Sequence, residues 1–273
     1  MVHAALDAGV NFFDTADIYA DGDSEVFLGR ALKRRHGRVV IATKFGGETD
    51  NASAATVRRS VEASLLRLGV EVIDLYQLHR PHTTPMEETL EALDGLVREG
   101  KVREIGCSNL AAWQLVDADW LSRTRGWSRF CSAQNQYNLL DRSAERELIP
   151  ACHQLGTVLI SHTPLHGGLL TGKYSGHQPP PAGSRMAGKA ALREALNNRN
   201  LALIERLRIF AAERQTDLVS VALGFLLSQT VVAAVIPAAT SAEQVVANVR
   251  SAQWHASVDD LKTLQEIADR PAT

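Results

Sequence analysis

Four side chains capable of acid–base chemistry follow three consecutive apolar segments near the start of the chain. Asp14 and Tyr19 follow the first segment, Lys44 follows the second and His79 follows the third. A tyrosine hydroxyl has a pKa of about 10 and donates its proton poorly at neutral pH, but an adjacent ammonium group favours the phenolate. A carboxylate would hold that ammonium in place, and a neutral histidine would donate a hydrogen bond to a carbonyl oxygen. The set predicts a general acid beside a cradle for an alkoxide and, because none of the four supplies electrons, a hydride-carrying cofactor.

Each of these four residues also has an ordinary structural interpretation. An Asp at the end of a strand often caps a turn, and a lone His is more often a structural residue than a catalytic one. The chemical interpretation therefore depends on the four side chains arriving together, which requires strands that end at one edge of one sheet.

The hydrophobic pattern predicts the strands that this arrangement needs. Short, β-rich apolar segments recur at 10–13, 38–43, 72–78, 102–107, 130–133, 157–161 and 231–236. Helical spacing of apolar residues occurs between them, at 24–35, 54–68 and 86–99. Alternating strands and helices predict a parallel sheet that is covered on both faces. Seven such strands after a helical first segment predict an α/β fold, a (β/α)8 barrel whose first strand is missing from this chain, in a single domain over residues 1–273.

The chemistry of such barrels lies at the carboxyl ends of the strands. Trp113 and Tyr137 follow two of the later strands and are candidate substrate contacts, with core or surface roles as the alternative. Residues 175–189 are rich in Pro, Gly and Ser and predict a long mobile loop at the same end of the barrel. The alternative for this segment is an insertion without a role.

The composition excludes several classes of protein. The net charge is −2, from 29 basic and 31 acidic residues, which argues against nucleic acid as the main partner. No apolar run approaches the ~20 residues that a membrane span needs, and the N-terminus lacks a secretory signal. The three cysteines form no CxxC pair, so neither a disulfide framework nor a metal site is indicated. A cytoplasmic protein that acts on a small molecule is predicted.

Several motifs occur in the order in which aldo-keto reductases carry them. They are GVNFFDTADIY at 9–19, ATKFG at 42–46, DLYQLH at 74–79, GKVREIGCSN at 100–109, QNQYNLL at 134–140 and GGLLTGKY at 167–174. The chain thus resembles this family, in the bacterial branch that is similar to potassium-channel β subunits. The resemblance implies a catalytic tetrad in which Tyr19 donates the proton during carbonyl reduction. Lys44 and Asp14 would tune that proton donor, and His79 would orient the carbonyl.

The resemblance also implies a site for NADPH or NADH. Ser108, Asn109 and Gln134 match residues that bind the nicotinamide carboxamide. His162 stands where the family usually places an aromatic residue that stacks on the nicotinamide. The implied contacts in the pyrophosphate loop are Thr163, Leu165 and Gly167. The implied contacts around a second phosphate and the adenosine are Ile236, Ala238, Ser241, Gln244 and Asn248.

The second phosphate region has two interpretations. Ser241 and Gln244 have the spacing of a helix capping box, and a helix N-terminus after a late barrel strand is also a natural phosphate site. No Lys or Arg stands at 238–241 or at position 244, where many NADPH-specific relatives have one. NADPH is the implied cofactor and NADH is the alternative.

The implied function is NAD(P)H-dependent reduction of an aldehyde or ketone, such as a sugar or secondary-metabolite carbonyl, to an alcohol. The alternative is a cofactor-binding regulatory protein or an inactive truncated homologue. The N-terminal hairpin and first strand that are usual in the family have no counterpart in this sequence. A misassigned start or a fragment is the favoured explanation, and a real truncation or cover by a second chain stays open.

Overall fold

The structure is a computed structural model that describes residues 1–33, 39–47, 51–174 and 194–269. The predicted mobile loop at 175–189 lies outside the described residues. Seven strands occur in the described residues: β1 (Phe12–Asp14), β2 (Val40–Phe45), β3 (Ile73–Leu78), β4 (Val102–Ser108), β5 (Ser132–Gln136), β6 (Val158–His162) and β7 (Val232–Ile236). They form one sheet whose strand order is the order along the chain.

The described part of the chain also contains ten α-helices. They are α1 (Val2–Asp7), α2 (Asp23–Leu32), α3 (Ala54–Leu68), α4 (Met86–Arg98), α5 (Ala112–Arg125), α6 (Leu148–Leu155), α7 (Asn198–Glu213), α8 (Leu218–Leu227), α9 (Ala242–Ser251) and α10 (Val258–Asp269). The alternation of strand and helix confirms the predicted fold class, that of the (β/α)8 barrel, with seven strands in the described residues. None of the described helices combines the length and the apolarity needed to cross a membrane.

Local sequence signals explain why the predicted and observed bounds agree closely. Helix α3 begins after Ser53, whose side chain accepts a hydrogen bond from the backbone N–H of Thr56 at 3.4 Å. It ends at Gly69, which adopts a left-handed conformation with φ of 66°. The predicted helix at 54–68 is therefore confirmed at both ends.

Contacts divide the chain into two compact units. The first unit comprises Met1–Asn135 and Glu145–Ile160, and the second comprises Gln136–Ala144 and Ser161–Thr273. The prediction of a single domain over residues 1–273 stays a prediction. Strands β1 to β5 pair in parallel, and their register places Lys44 opposite Gln77, and Gln77 opposite Gly106.

A buried carboxylate in the first unit ties β2 to the helices beside it. Glu25 on α2 is fully buried and accepts hydrogen bonds from Thr43 Oγ1 at 2.5 Å and from Arg67 Nε at 2.7 Å. Helices α2 and α3 approach closely because Gly29 has no side chain: a Cβ there would lie 2.1 Å from the carbonyl oxygen of Leu68. The strand that carries the neighbouring lysine is thereby anchored on its helix-covered face.

Candidate active site

Asp14 and Lys44 form a buried ion pair in the first unit. Asp14 ends β1 and Lys44 lies on β2; the lysine side chain is fully buried and the aspartate side chain is 7% exposed. Lys44 Nζ donates to Asp14 Oδ2 and, at 2.9 Å, to the backbone carbonyl of Thr15. A buried ammonium needs both an opposite charge and hydrogen-bond acceptors to replace its hydration. These two acceptors supply both.

Tyr19 lies beside this ion pair, at the start of a short 3-10 segment, Tyr19–Gly22. The residue is 40% exposed, and Lys44 Nζ lies 5.1 Å from the centroid of its ring. Ala20 and Asp21 have φ values of 49° and 52°, a left-handed conformation that is unfavourable for residues with a Cβ. Backbone strain of this kind clusters at functional sites. Here it occurs in the turn that carries the tyrosine.

His79 completes the predicted set of four. It follows β3, is 6% exposed, and meets the Tyr19 ring edge-on, with centroids 5.7 Å apart and planes at 80°. Its backbone N–H donates to the carbonyl of Phe45 at 2.9 Å, and its own carbonyl accepts from Asn109 Nδ2 at 3.1 Å. The structure therefore brings together one partly exposed phenol, a buried cation and a buried imidazole, which are the parts of a general acid for a carbonyl substrate.

Three residues predicted to hold a nicotinamide lie at the ends of β4 and β5. Ser108 Oγ donates to the backbone carbonyl of Gln134 at 2.8 Å and accepts from Asn109 Nδ2 at 3.0 Å. Gln134 is 2% exposed, and its Nε2 donates to Asp14 Oδ1 at 2.7 Å. Two side-chain amides thus stand at these strand ends, and an amide can pair with a carboxamide as both donor and acceptor.

The next predicted cofactor residues lie in the second unit, where β6 ends. His162 is the last residue of β6, and its Nδ1 lies 3.0 Å from Thr163 Oγ1. The chain then turns tightly through Leu165 into the segment His166–Thr171, and Gly167 has a φ of 66°. Glycine adopts this conformation without steric cost, which allows the tight turn.

A buried asparagine holds this loop in place. Asn138 is fully buried; its Nδ2 donates to the carbonyl of Thr163 at 3.1 Å, and its Oδ1 lies 3.2 Å from His166 Nδ1. Burial lowers the pKa of His166 from its ordinary value of 6.5, so the ring is neutral at pH 7. His166 therefore contributes no positive charge to the loop.

The last predicted cofactor residues surround the start of α9. Ser241 Oγ accepts from the backbone N–H of Gln244 at 3.3 Å, and Gln244 Oε1 accepts from the backbone N–H of Thr240 at 2.9 Å. The first bond makes Ser241 the N-cap of α9. The reciprocal bond of a capping box would go to the N–H of Ser241, but Gln244 accepts from the N–H of Thr240 instead. The phosphate-binding role stays a prediction. Of the other residues, Ile236 ends β7, Ala238 is exposed and Asn248 is half-buried on α9.

The two predicted substrate contacts differ in accessibility. Trp113 on α5 is 68% exposed and lines a cavity of about 180 Å³ together with His82 and Leu78, the last residue of β3. Tyr137 is 1% exposed and packs against Phe225 in the second unit, with ring centroids 5.9 Å apart. The burial of Tyr137 favours its core role, whereas the substrate contact of Trp113 stays a prediction and a surface role is its alternative.

Comparison with known proteins decides the family of the chain. The aldo/keto reductase family matches residues 1–269. The chain belongs to the aldo/keto reductase family.

Three relatives illustrate the range of this similarity. The chain is 33% identical to the NADH-specific methylglyoxal reductase of Escherichia coli, over 96% of the chain and 84% of that protein. It is 34% identical to the uncharacterized oxidoreductase YrpG of Bacillus subtilis, over 98% of the chain and 85% of that protein. It is 41% identical to human aflatoxin B1 aldehyde reductase member 4, over 64% of the chain and 54% of that protein. This aldo/keto reductase is therefore an NAD(P)H-dependent oxidoreductase of carbonyl compounds.

One residue of the candidate site could not be identified from the sequence. Gln77 on β3 is fully buried, and its Nε2 donates to Asp14 Oδ1 at 3.2 Å. A signal was present, because a glutamine within an otherwise buried strand needs a hydrogen-bond partner. The pattern could not show which partner, since Asp14 is 63 residues away in the chain.

Proposed function

We propose that the chain reduces an aldehyde or a ketone to an alcohol, with Tyr19 as the proton donor. The observation that carries this proposal is the group formed by Asp14, Lys44, Tyr19 and His79 in the first unit. Only the tyrosine of this group combines a transferable proton with substantial exposure. It is thus the group that a carbonyl oxygen can reach.

The other three side chains support that proton transfer. Lys44 holds a positive charge beside the Tyr19 ring, and Asp14 keeps the ammonium in place. The positive charge of Lys44 favours the negative charge that develops on the phenol as its proton leaves, and Asp14 contributes by fixing the position of that ammonium. His79 stands edge-on to the tyrosine and would donate a hydrogen bond to the same carbonyl oxygen.

The residues at the strand ends fit the cofactor. NADH or NADPH, when bound, supplies the hydride that the side chains lack. The amides of Asn109 and Gln134, with Ser108 between them, suit the nicotinamide carboxamide. In the second unit, the proposed phosphate contacts are the tight turn at Thr163, Leu165 and Gly167 and the N-terminal N–H groups of α9 beside Ser241.

The charges in the region that we propose for the adenosine favour NADH over NADPH. The first turn of α9 carries Glu243, and the hydroxyl of Ser241 lowers the pKa of this carboxyl, so it is ionised at neutral pH. Residues 238–248 contain no Lys or Arg to oppose it. The 2′-phosphate of NADPH would therefore meet a like charge, whereas the ribose hydroxyl of NADH would not. The NADH-specific name of the Escherichia coli relative points the same way.

Cofactor preference is tested by fluorescence quenching with NADH and NADPH, using the four native tryptophans. We expect NADH to bind at least as tightly as NADPH. Glu243→Gln should strengthen NADPH binding by about two- to threefold, the effect of one solvent-screened charge, and leave NADH unchanged. NADPH binding tenfold tighter than NADH in the unmodified protein would overturn this preference.

A small dicarbonyl compound is the first substrate to assay. The Escherichia coli relative is named for methylglyoxal. We propose that this chain accepts small aldehydes of that class.

The decisive variant is Tyr19→Phe, assayed with methylglyoxal through oxidation of NADH and NADPH. It should lower kcat by about 100-fold or more, the usual contribution of a positioned general acid, without changing cofactor affinity. Tyr76→Phe is the matched control, since the buried hydroxyl of Tyr76 makes no hydrogen bond to the described residues, and it should retain full activity. Full activity in Tyr19→Phe would refute the assignment. Cofactor binding without any reduction across a panel of carbonyl compounds would point to a regulatory role.

A further inference from the structure

Gln77 lies at the centre of a buried polar cluster formed by Asp14, Lys44, Gln77 and Gln134. The strand register puts it next to Lys44, and both side chains are fully buried. Its Nε2 donates to Asp14 Oδ1 at 3.2 Å, and its Oε1 accepts from Gln134 Nε2, also at 3.2 Å. Both ends of the side-chain amide are therefore engaged.

A glycine on the next strand makes room for this contact. Gly106 is the register partner of Gln77 on β4. A Cβ at Gly106 would lie 3.2 Å from Gln77 Cγ and 2.5 Å from the hydroxyl oxygen of Ser132. The absence of a side chain at this position lets the amide of Gln77 extend towards Gln134.

The bonds divide the two oxygens of Asp14 between different partners. Oδ2 accepts from Lys44, and Oδ1 accepts from the amides of Gln77 and Gln134. Hydrogen bonds to a carboxylate fix its orientation and reduce its basicity. With both donors present, Asp14 presents one oxygen to Lys44 in a constant geometry.

The same bonds orient Gln134. Its Nε2 donates to Asp14 Oδ1 and to Gln77 Oε1, so its Oε1 is directed away from both. That oxygen is then available to accept a hydrogen bond from the amide of a nicotinamide. Gln77 thus contacts both the ion pair beside the proton donor and the residue assigned to the cofactor.

We propose that Gln77 is a positioning residue of the reductase, which holds Asp14 for Lys44 and Gln134 for the cofactor. This inference rests on the proposed function of the four residues around Tyr19. It predicts that loss of the Gln77 amide changes the proton-donating step and the cofactor affinity together, although no hydrogen bond joins Gln77 to Tyr19 in the described part of the chain.

The first test is Gln77→Met, which keeps the length of the side chain and removes both hydrogen bonds. We expect kcat to fall about tenfold, the effect of one hydrogen bond to a charged group, and the KM for NADH to rise severalfold. The alkaline limb of the kcat profile should move to higher pH. The reason is that Asp14, having lost a donor, would neutralise Lys44 more fully and leave the phenolate of Tyr19 less favoured.

A matched control separates this role from a general loss of packing. Gln136→Met removes a comparable bond in the second unit, where Gln136 Nε2 donates to Asp141 Oδ2 at 2.7 Å. It should leave the pH profile of kcat unchanged. A Gln77→Met protein whose pH profile matches that of the control would overturn the proposal, even if both variants lose stability.

A second variant decides the matter if Gln77→Met does not fold. Gln77→Glu keeps the side-chain length but replaces a donor to Asp14 with a second carboxyl, and two adjacent carboxyls share a proton at low pH. Its activity relative to the unmodified protein should therefore rise as the pH falls. A constant ratio would overturn the proposal. Failure of the proposed function is distinguishable, because it would appear as undiminished activity of Tyr19→Phe whatever the Gln77 variants do.

Discussion

The ion pair between Asp14 and Lys44 predicts strong thermodynamic coupling between the two side chains. At an effective dielectric constant of ~20 and a separation of ~3 Å, two unit charges attract by about 5 kcal/mol. Most of this attraction offsets the cost of burying the charges, so the intact pair adds little to net stability. Removing one partner, however, leaves the other charge buried without compensation. The perturbation to make is therefore a double-mutant cycle of Lys44→Met and Asp14→Asn.

The contacts of each side chain set the expected magnitudes. In Lys44→Met the carboxylate of Asp14 keeps its two amide donors. The free energy of unfolding should therefore fall by about 3 kcal/mol, the lower end of the range for removing one partner of a buried ion pair. In Asp14→Asn the ammonium keeps the carbonyl of Thr15, and the new amide opposes the amides of Gln77 and Gln134, so the loss should be about 4 kcal/mol. The double variant contains neither buried charge, so only the cost of the new amide facing the amides of Gln77 and Gln134 is left, and it should lose about 2 kcal/mol. The coupling between the two side chains is then about 5 kcal/mol, close to their electrostatic attraction.

The assay is the free energy of unfolding from urea titrations of the four proteins, followed by two optical probes. Equal slopes of the free energy against urea concentration would show that the mutations act on the folded state. If the stability losses of the two single variants sum to the loss of the double variant within about 0.5 kcal/mol, as for independent sites, the buried ion pair is refuted.

Three further predictions follow from buried contacts of the first unit. Gly106→Ala should lower stability by about 1–3 kcal/mol in urea titrations, because its Cβ would lie 2.5 Å from the Ser132 hydroxyl oxygen; an unchanged midpoint would contradict the close packing. Glu25→Gln should cost about 2 kcal/mol in the same assay, since the fully buried carboxylate bonds Thr43 and Arg67 and the arginine is partly exposed; a loss near zero would contradict it. Burial raises the pKa of Cys107 far above its ordinary value, so iodoacetamide at pH 8 should label it only in unfolded protein by mass spectrometry; rapid labelling of the native protein would refute this burial.

The helix and strand pattern could be predicted well because it depends on local physics. Apolar periodicity distinguishes strands from helices, and caps such as Ser53 and Gly69 set the helix ends. The seven predicted strands all occur in the described residues, with bounds that differ by a few residues. For β1, the pairing of Asp14 with Ala42 extends the strand beyond its apolar residues, and pairing is not a property of the single segment.

For the candidate catalytic residues, the sequence predicts which strand each one follows but not its hydrogen-bond partners. That Asp14, Tyr19, Lys44 and His79 belong together follows from parallel strands whose carboxyl ends share one edge. Capping could also be foreseen, because Ser241 and Gln244 are three residues apart and a helix turn brings them together. In the first of these cases the barrel fold brings the strand ends together although they are distant in sequence. In the second case the two residues are close in sequence.

The sequence alone therefore determined the succession of strands and helices, the family and the residues that follow each strand. Only the tertiary structure decided which polar groups pair inside the sheet. Gln77 and Gln134 meet Asp14 from 63 and 120 residues away, and they do so because the register aligns their strands and Gly106 leaves space. Hydrogen bonds of this kind act over about 3 Å, so their partners are set by three-dimensional packing and not by any local pattern.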